Sequence, residues 1–223
     1  MLRVVLPDAV AVEEAFADPP EAQLYPEEAA LVRDAVDKRR REFTTVRHCA
    51  RRALGTLGLP PGPVLPDRYG APRWPARVVG SLTHCHGYRA AALAHGTAVT
   101  MLGIDAEPHG PLPEGVLEAI ALPAERAWTR SAPAGTHWDR LLFSAKESVY
   151  KAWYPHTGQR LRFGDAELRF DPDRGTFTAR LLAPPPARPP GRPPLPRTLD
   201  GRWLTGKGLV VTAVMMAPTA WVY

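Results

Sequence analysis

Apolar residues recur at helical spacing most clearly between 136 and 154, where Leu141, Leu142, Ala145, Val149, Ala152 and Trp153 share one face. That pattern predicts a helix over roughly 136–154. Residues 26–57 also read as helical. "PEEAALVRDAVDKRRREF" opens on Pro26 and two glutamates, good N-terminal residues, with Ala29, Val32, Ala35 and Val36 as its apolar positions. A second run, "VRHCARRALGTLG", ends at glycines and then at Pro60–Pro61. Shorter apolar runs at 78–84, 88–94 and 98–107, separated by short turns, predict strands. A short helix is expected around "VLEAIAL", and "AELRF", "TFTARLL" and "GRWLTGKGLVVTAVMM" read as further strands. Residues 60–75 are dense in Pro and Gly and form a loop. The proline-rich loop 183–197, "APPPARPPGRPPLPR", fits a stiff hairpin connection better than an SH3-ligand segment.

Helices, then strands, then helix and strands again predict an α+β protein. Two similar α/β halves are expected to meet near residue 105, giving subdomains 1–105 and 106–223. The chain has 223 residues, enough for one large domain or two small ones with real cores. Hydrophobic residues make up 45% and charged residues 23%, as in ordinary globular proteins, while 26 prolines imply many stiff loops. No segment reaches the roughly 18 continuous apolar residues of a membrane span, and "MLRVVLPDAV" lacks the features of a signal peptide. Two cysteines do not make a disulfide framework, so a cytoplasmic location without membrane contact is expected.

The net charge of +5 is concentrated in "DKRRREFTTVRHCARR", which suggests phosphate, nucleic acid or an acidic protein as partner, or simply a solvated helix face. Chemistry is a candidate at three further places. In "LGIDAEPH", Asp105 and Glu107 are two apart on a strand and so project from one face. Like charges held together need a cation between them, and Mg²⁺ suits carboxylate oxygens at the end of a buried strand; a strand merely turning into solvent is the plainer alternative. On the predicted helix, Glu147 falls opposite the apolar stripe with Ser144 and Lys151 beside it. Glu147 and Lys151 are either a solvated i,i+4 pair or half of an active site, and the aromatics Tyr150, Trp153 and Tyr154 are numerous for a helix with one wet side. "SLTHCHGY" places Thr83 and His84 where a hydroxyl and an imidazole can donate to a phosphate; zinc ligation and an ordinary structural histidine are the other readings.

Taken together, "KRRREFTTVRHCARRALGTLG", "GSLTHCHGY", "LGIDAEPH" and "FSAKESVYKAWYP" resemble the 4′-phosphopantetheinyl transferases of the surfactin/enterobactin type, closest to the enterobactin-like branch. The resemblance covers residues 38–155, and its carboxylate and Lys-Glu motifs about 40 residues apart are specific in combination. It implies a pseudodimer with the active site between its halves, and transfer of the phosphopantetheine arm of coenzyme A to a serine of acyl or peptidyl carrier protein domains, releasing 3′,5′-ADP. It implies Mg²⁺, with Mn²⁺ as the alternative ion, held by Asp105, Glu107 and Glu147, a monomer, and no nucleic-acid partner.

By the same resemblance Glu147 accepts the serine proton and Lys151 contacts the α-phosphate, with Lys146 as a lesser candidate. Thr83, His84 and Asp105 bind coenzyme A, as do Arg39, or its neighbour Arg40, and Arg47. Many relatives carry a basic residue in a Gly-x-Pro segment, which here reads Gly70–Ala71–Pro72, so Arg68 or Arg73 is expected to substitute. Ala106, between two carboxylates, cannot ligate a metal as the side chain at this position could in some relatives. Two other readings remain for the residues themselves: a basic phosphate- or nucleic-acid-binding protein, and a Mg²⁺-dependent phosphohydrolase.

Overall fold

The computed structural model describes residues 1–184, 186 and 194–218. In chain order the elements are α1 (Leu2–Val5), β1 (Ala11–Ala15), α2 (Pro26–Leu31), α3 (Asp37–Thr56), β2 (Val78–Cys85), β3 (Tyr88–His95) and β4 (Met101–Pro108). There follow α4 (Val116–Ile120), α5 (Pro123–Ser131), α6 (Trp138–Thr157), β5 (Ala166–Asp171), β6 (Thr176–Leu181), β7 (Thr198–Gly206) and β8 (Leu209–Met216). The strands form two antiparallel sheets, β1-β3-β2 and β4-β8-β7-β6-β5. The fold is α+β in two subdomains, each a sheet with one 20-residue helix against it. Most of the expected proline-rich loop, residues 187–193, lies outside the described residues.

One expectation needs correction. The helical region over 26–57 is interrupted at 32–36, and "KRRREF" and "VRHCARR" belong to a single helix, α3. A continuous helix would hold residues 28 and 51 about 35 Å apart at 1.5 Å per residue. Instead Arg51 reaches the fully buried Glu28 at 2.9 Å, and Glu28 also accepts the Tyr25 and Val64 amides, so the chain must fold back. Residue 105, near which the halves are expected to meet, lies inside β4, and sheet membership changes between His95 and Met101. Elements α1 and β1, both short, carry no periodicity long enough to read.

Strand alternation explains the cores. On β3, Ala91 and Leu93 pack under α3, while Tyr88, Ala90, Ala92 and Ala94 face a second core shared with the other sheet. The small side chains of "YRAAALA" let this strand be covered on both faces. On β4, Leu102, Ile104 and Ala106 join the shared core, leaving Met101, Gly103, Asp105 and Glu107 on the face toward α6. A Cβ on Gly103 would lie 2.0 Å from the Ser148 carbonyl oxygen and 2.5 Å from the Ala152 amide nitrogen. Glycine therefore lets α6 rest directly on β4, next to Asp105. Gly103→Ala is expected to lose about 1–3 kcal/mol of stability by forcing the helix off the strand; urea unfolding measures this, and an unchanged midpoint would mean the contact yields freely.

The two sheets meet edge to edge without a main-chain ladder. Ser81 Oγ accepts the Ile104 amide at 3.1 Å, and Thr83 Oγ1 accepts the Ala106 amide at 3.0 Å. Both hydroxyls are buried, so side chains satisfy the open edge of β4 and hold the seam slightly apart. A cleft opens along this seam.

Candidate functional site

The cleft has a volume of about 660 Å³ and draws its walls from both halves. One wall comes from α6, where Phe143, Glu147, Tyr150, Lys151 and Tyr154 line it at helical spacing. Asp105 and Glu107 come from the end of β4, Thr83 and His84 from β2, and Arg39, Phe43 and Arg47 from α3. Glu147 and Tyr150 also border a second cavity, of about 720 Å³, between α6 and residues 159–166.

The Glu147–Lys151 ion pair that the i,i+4 spacing allowed does not form. Lys151 Nζ instead donates to Asp105 Oδ1 at 2.6 Å, reaching across from helix to strand. Glu147 makes no hydrogen bond or ion pair to any described residue and stands half-buried in the cleft, its carboxyl pushed up by burial and by Asp105 against the pull of Lys151. Asp105 is buried, and its Oδ2 has no hydrogen-bond partner among the described residues. Glu107 is likewise pushed up, by burial first and Asp105 second, although Arg140 pairs with it at 3.0 Å. Arg140 spends its other nitrogens on the carbonyls of Gly110 and Pro111. Three carboxylates thus face one space, yet among the described residues no group of three His, Cys, Asp or Glu is gathered to hold a metal by itself.

The cleft also carries cationic side chains. Arg39 Nη1 donates to His84 Nε2 at 2.6 Å, which requires a neutral ring protonated on Nδ1. Burial first, then the Arg39 charge, holds His84 below the usual histidine range. Arg47 is buried, its guanidinium 3.5 Å over the Phe43 ring, and it has no carboxylate partner among the described residues. Burial lowers it to about 10 despite the nearby Glu28. A cation desolvated this way gains from any anion that enters the cleft.

Several sequence candidates sit elsewhere. Lys146 is buried, and its Nζ is shared among Glu125 at 2.8 Å and the carbonyls of Phe163 and Ala166, so its three donors are engaged away from the cleft. Thr83 lines the cleft, and its hydroxyl accepts the Ala106 amide at 3.0 Å and donates to Asp105 Oδ1 at 3.3 Å, which ties β2 to the carboxylate strand. Arg40 turns back to the carbonyls of Arg33 and Ala35. Arg68 lies over the Tyr69 ring, and neither it nor Arg73 lines the cleft, where Gly70, Ala71 and Pro72 do. Ser144, expected beside Glu147, is buried against Thr212. Ala106 points into the shared core, as does Cys85, one residue along from His84 and on the other face of β2.

Arg140, Phe143 and Tyr154 were not anticipated as site residues. Arg140, Glu147 and Tyr154 are seven residues apart in turn, two helical turns each, so a polar stripe opposite the apolar one was there to be read.

Comparison with known proteins places the site in context. Residues 27–94 match the family model described as the 4′-phosphopantetheinyl transferase N-terminal domain, and residues 101–190 match the 4′-phosphopantetheinyl transferase superfamily. The chain is 57% identical to the 4′-phosphopantetheinyl transferase Svp of Streptomyces mobaraensis, over 99% of this chain and 91% of that protein. It is 51% identical to the 4′-phosphopantetheinyl transferase PptT of Mycobacterium tuberculosis, over 95% and 96% respectively. With the 4′-phosphopantetheinyl transferase Npt of Nocardia iowensis it shares 46% identity over 97% of this chain and all of the relative.

Proposed function

The chain belongs to the 4′-phosphopantetheinyl transferase superfamily, and from this we propose that it transfers the phosphopantetheine arm of coenzyme A to a serine hydroxyl of acyl or peptidyl carrier protein domains, releasing 3′,5′-ADP. The observation that carries the reading is one cleft lined by two chemistries: the cationic Arg39 and Arg47 with His84, and the carboxylates Asp105, Glu107 and Glu147. Such a lining suits coenzyme A, whose 3′-phosphate would lie by the cations and whose pyrophosphate would lie by the carboxylates together with a divalent cation. We take residues 1–95 and 101 onward as the two halves, with the site on their seam.

In the proposed step the serine oxygen forms a bond to the β-phosphorus, the bond from that phosphorus to the bridging oxygen breaks, and 3′,5′-ADP departs with that oxygen. Glu147 receives the serine proton; its side chain faces the cleft and has no hydrogen-bond or ion-pair partner among the described residues to compete for that role. Lys151, already at the cleft, is placed to follow the charge that develops on the leaving phosphate. Arg39, His84 and Arg47 hold the adenosine-side phosphates. Arg140 fixes Glu107 and the loop after β4.

A divalent cation such as Mg²⁺ fits the carboxylate end. The orphaned Asp105 Oδ2 and the raised Glu107 and Glu147 all describe negative charge crowded without enough compensation. Asp105, Glu107 and Glu147 would supply part of its oxygen shell, with phosphate oxygens and water the rest. When bound, the ion would neutralise charge on the transferring phosphoryl group. Among the described residues no helix is long and apolar enough to cross a membrane. The basic face of α3 would draw an acidic carrier surface toward the cleft.

Incubation with coenzyme A, Mg²⁺ and an apo carrier domain should add one phosphopantetheine arm to the carrier, read by intact mass. No gain with several carriers, metals and pH values would overturn the proposal. Release of free phosphopantetheine without a carrier would favour a phosphohydrolase instead.

A further inference from the structure

Tyr154 closes the same cleft from the end of α6, and its hydroxyl is not pointed at the carboxylates. It donates to Asp67 Oδ2 at 2.6 Å. Asp67 belongs to the other half, in the loop before β2, where it organises a small hairpin. Its Oδ1 accepts the amides of Tyr69 at 2.8 Å and Ala71 at 3.0 Å. Its own amide donates to the Ala71 carbonyl at 2.8 Å, and Pro66 and Pro72 bridge the hairpin's base. Above this polar knot the rings interlock. Tyr69 meets Tyr154 edge-on with centroids 5.7 Å apart, and Tyr154 stacks on Tyr150 at 5.8 Å. Arg68 and Arg160, one from each half, lie over the Tyr69 ring.

The consequence is mechanical. Pro66, Tyr69, Gly70, Ala71 and Pro72 form one wall of the cleft, and Tyr150, Tyr154 and Pro155 form the wall they lean on. The hairpin has no helix or sheet ladder of its own beyond the single bridge, so its position depends on what it rests against. One carboxylate both shapes the turn and receives the phenol, so the two functions are coupled through a single side chain. The bond holds the Tyr154 phenol up at about 12, and Asp67 is kept below the usual carboxylate range because three donors outweigh the effect of its burial.

We propose that Tyr154 and Asp67 form a latch between the halves that holds the Pro66–Pro72 hairpin against α6 and keeps the coenzyme A cleft in its binding shape. Tyr154 is thus a positioning residue for the ligand-binding wall. The proposal rests on the coenzyme A reading for its ligand, while the latch itself is testable without any ligand.

Tyr154→Phe keeps the ring and its stacking and removes one charge-assisted hydrogen bond. In the ligand-free protein the Tyr69 and Ala71 amides should exchange with solvent about tenfold faster. In the transfer assay KM for coenzyme A should rise about tenfold, the loss falling on KM more than on kcat. Asp67→Ala should raise KM at least as much, and adding Tyr154→Phe to it should bring no further loss, since both remove the same interaction. Unchanged amide exchange in Tyr154→Phe, a loss confined to kcat, or additive effects in the double variant would each overturn the latch. A wild-type protein that transfers no arm would instead sink the transferase reading, and the exchange measurement would still decide the latch.

Discussion

Glu147→Gln should lower transfer to a carrier at least a hundredfold and leave the folded state nearly as stable as before. The first half follows from chemistry: an amide can neither take the serine proton nor present an anionic oxygen to a cation, and losing a positioned base costs about 10²–10⁴-fold. The second half follows from the contacts. Glu147 is half-buried and makes no hydrogen bond or ion pair to a described residue, so its replacement orphans nothing in the fold. The exchange also removes a carboxyl that burial and Asp105 already disfavour as an anion, so no stability is lost with its charge. Intact-mass time courses give the rate, and urea unfolding gives the stability. Near-normal turnover would show that Glu147 takes no part in the chemistry.

The adjacent residue should behave the opposite way. Lys146→Met is expected to cost about 3–5 kcal/mol of stability, because removing one partner of a buried pair strands the other. Both side chains are 2% exposed. Burial holds Lys146 below the ordinary lysine range, and Glu125 opposes that shift, which marks a charge kept in place by its partner. Glu125 also accepts the Leu122 and Leu168 amides, so the pair ties α5, α6 and β5 together under the floor of the second cavity. A urea midpoint equal to wild type would show that solvent reaches the pair and that Glu125 is content without it. Residual activity per folded molecule should stay within a few-fold of wild type, since Lys146 does not enter the cleft.

The contrast between Lys146 and Glu147 measures how far the chain could be read from its residues. Helical spacing alone set Glu147 on the face opposite Leu141, Leu142, Ala145 and Val149, and that orientation is the one observed. The alternation that sends Asp105 and Glu107 to one face of β4 and Ala106 to the other also held. Less legible was everything that depends on a partner distant in sequence. Spacing allowed Lys151 to pair with Glu147, and it is found on Asp105, 46 residues away. Thr83 was expected on a phosphate and is found bracing the seam. Arg140, which no motif singles out, holds Glu107.

Three things came from the sequence by itself: an α+β chain, two carboxylates on one strand face with a glutamate and a lysine on the polar side of one helix, and a cationic helix near the start. These are local properties, because pleat and helical pitch dictate which side chains point the same way whatever lies opposite them. Only the tertiary structure decided what does lie opposite. Packing through Gly103 brought α6 down onto β4, and hydroxyls at Ser81 and Thr83 joined two sheet edges without closing them. The polar side of α6 therefore meets a cleft where it could have met water. Ion-pair partners follow from that approach, since a charge selects the nearest opposite charge in space and spacing along the chain carries no record of it.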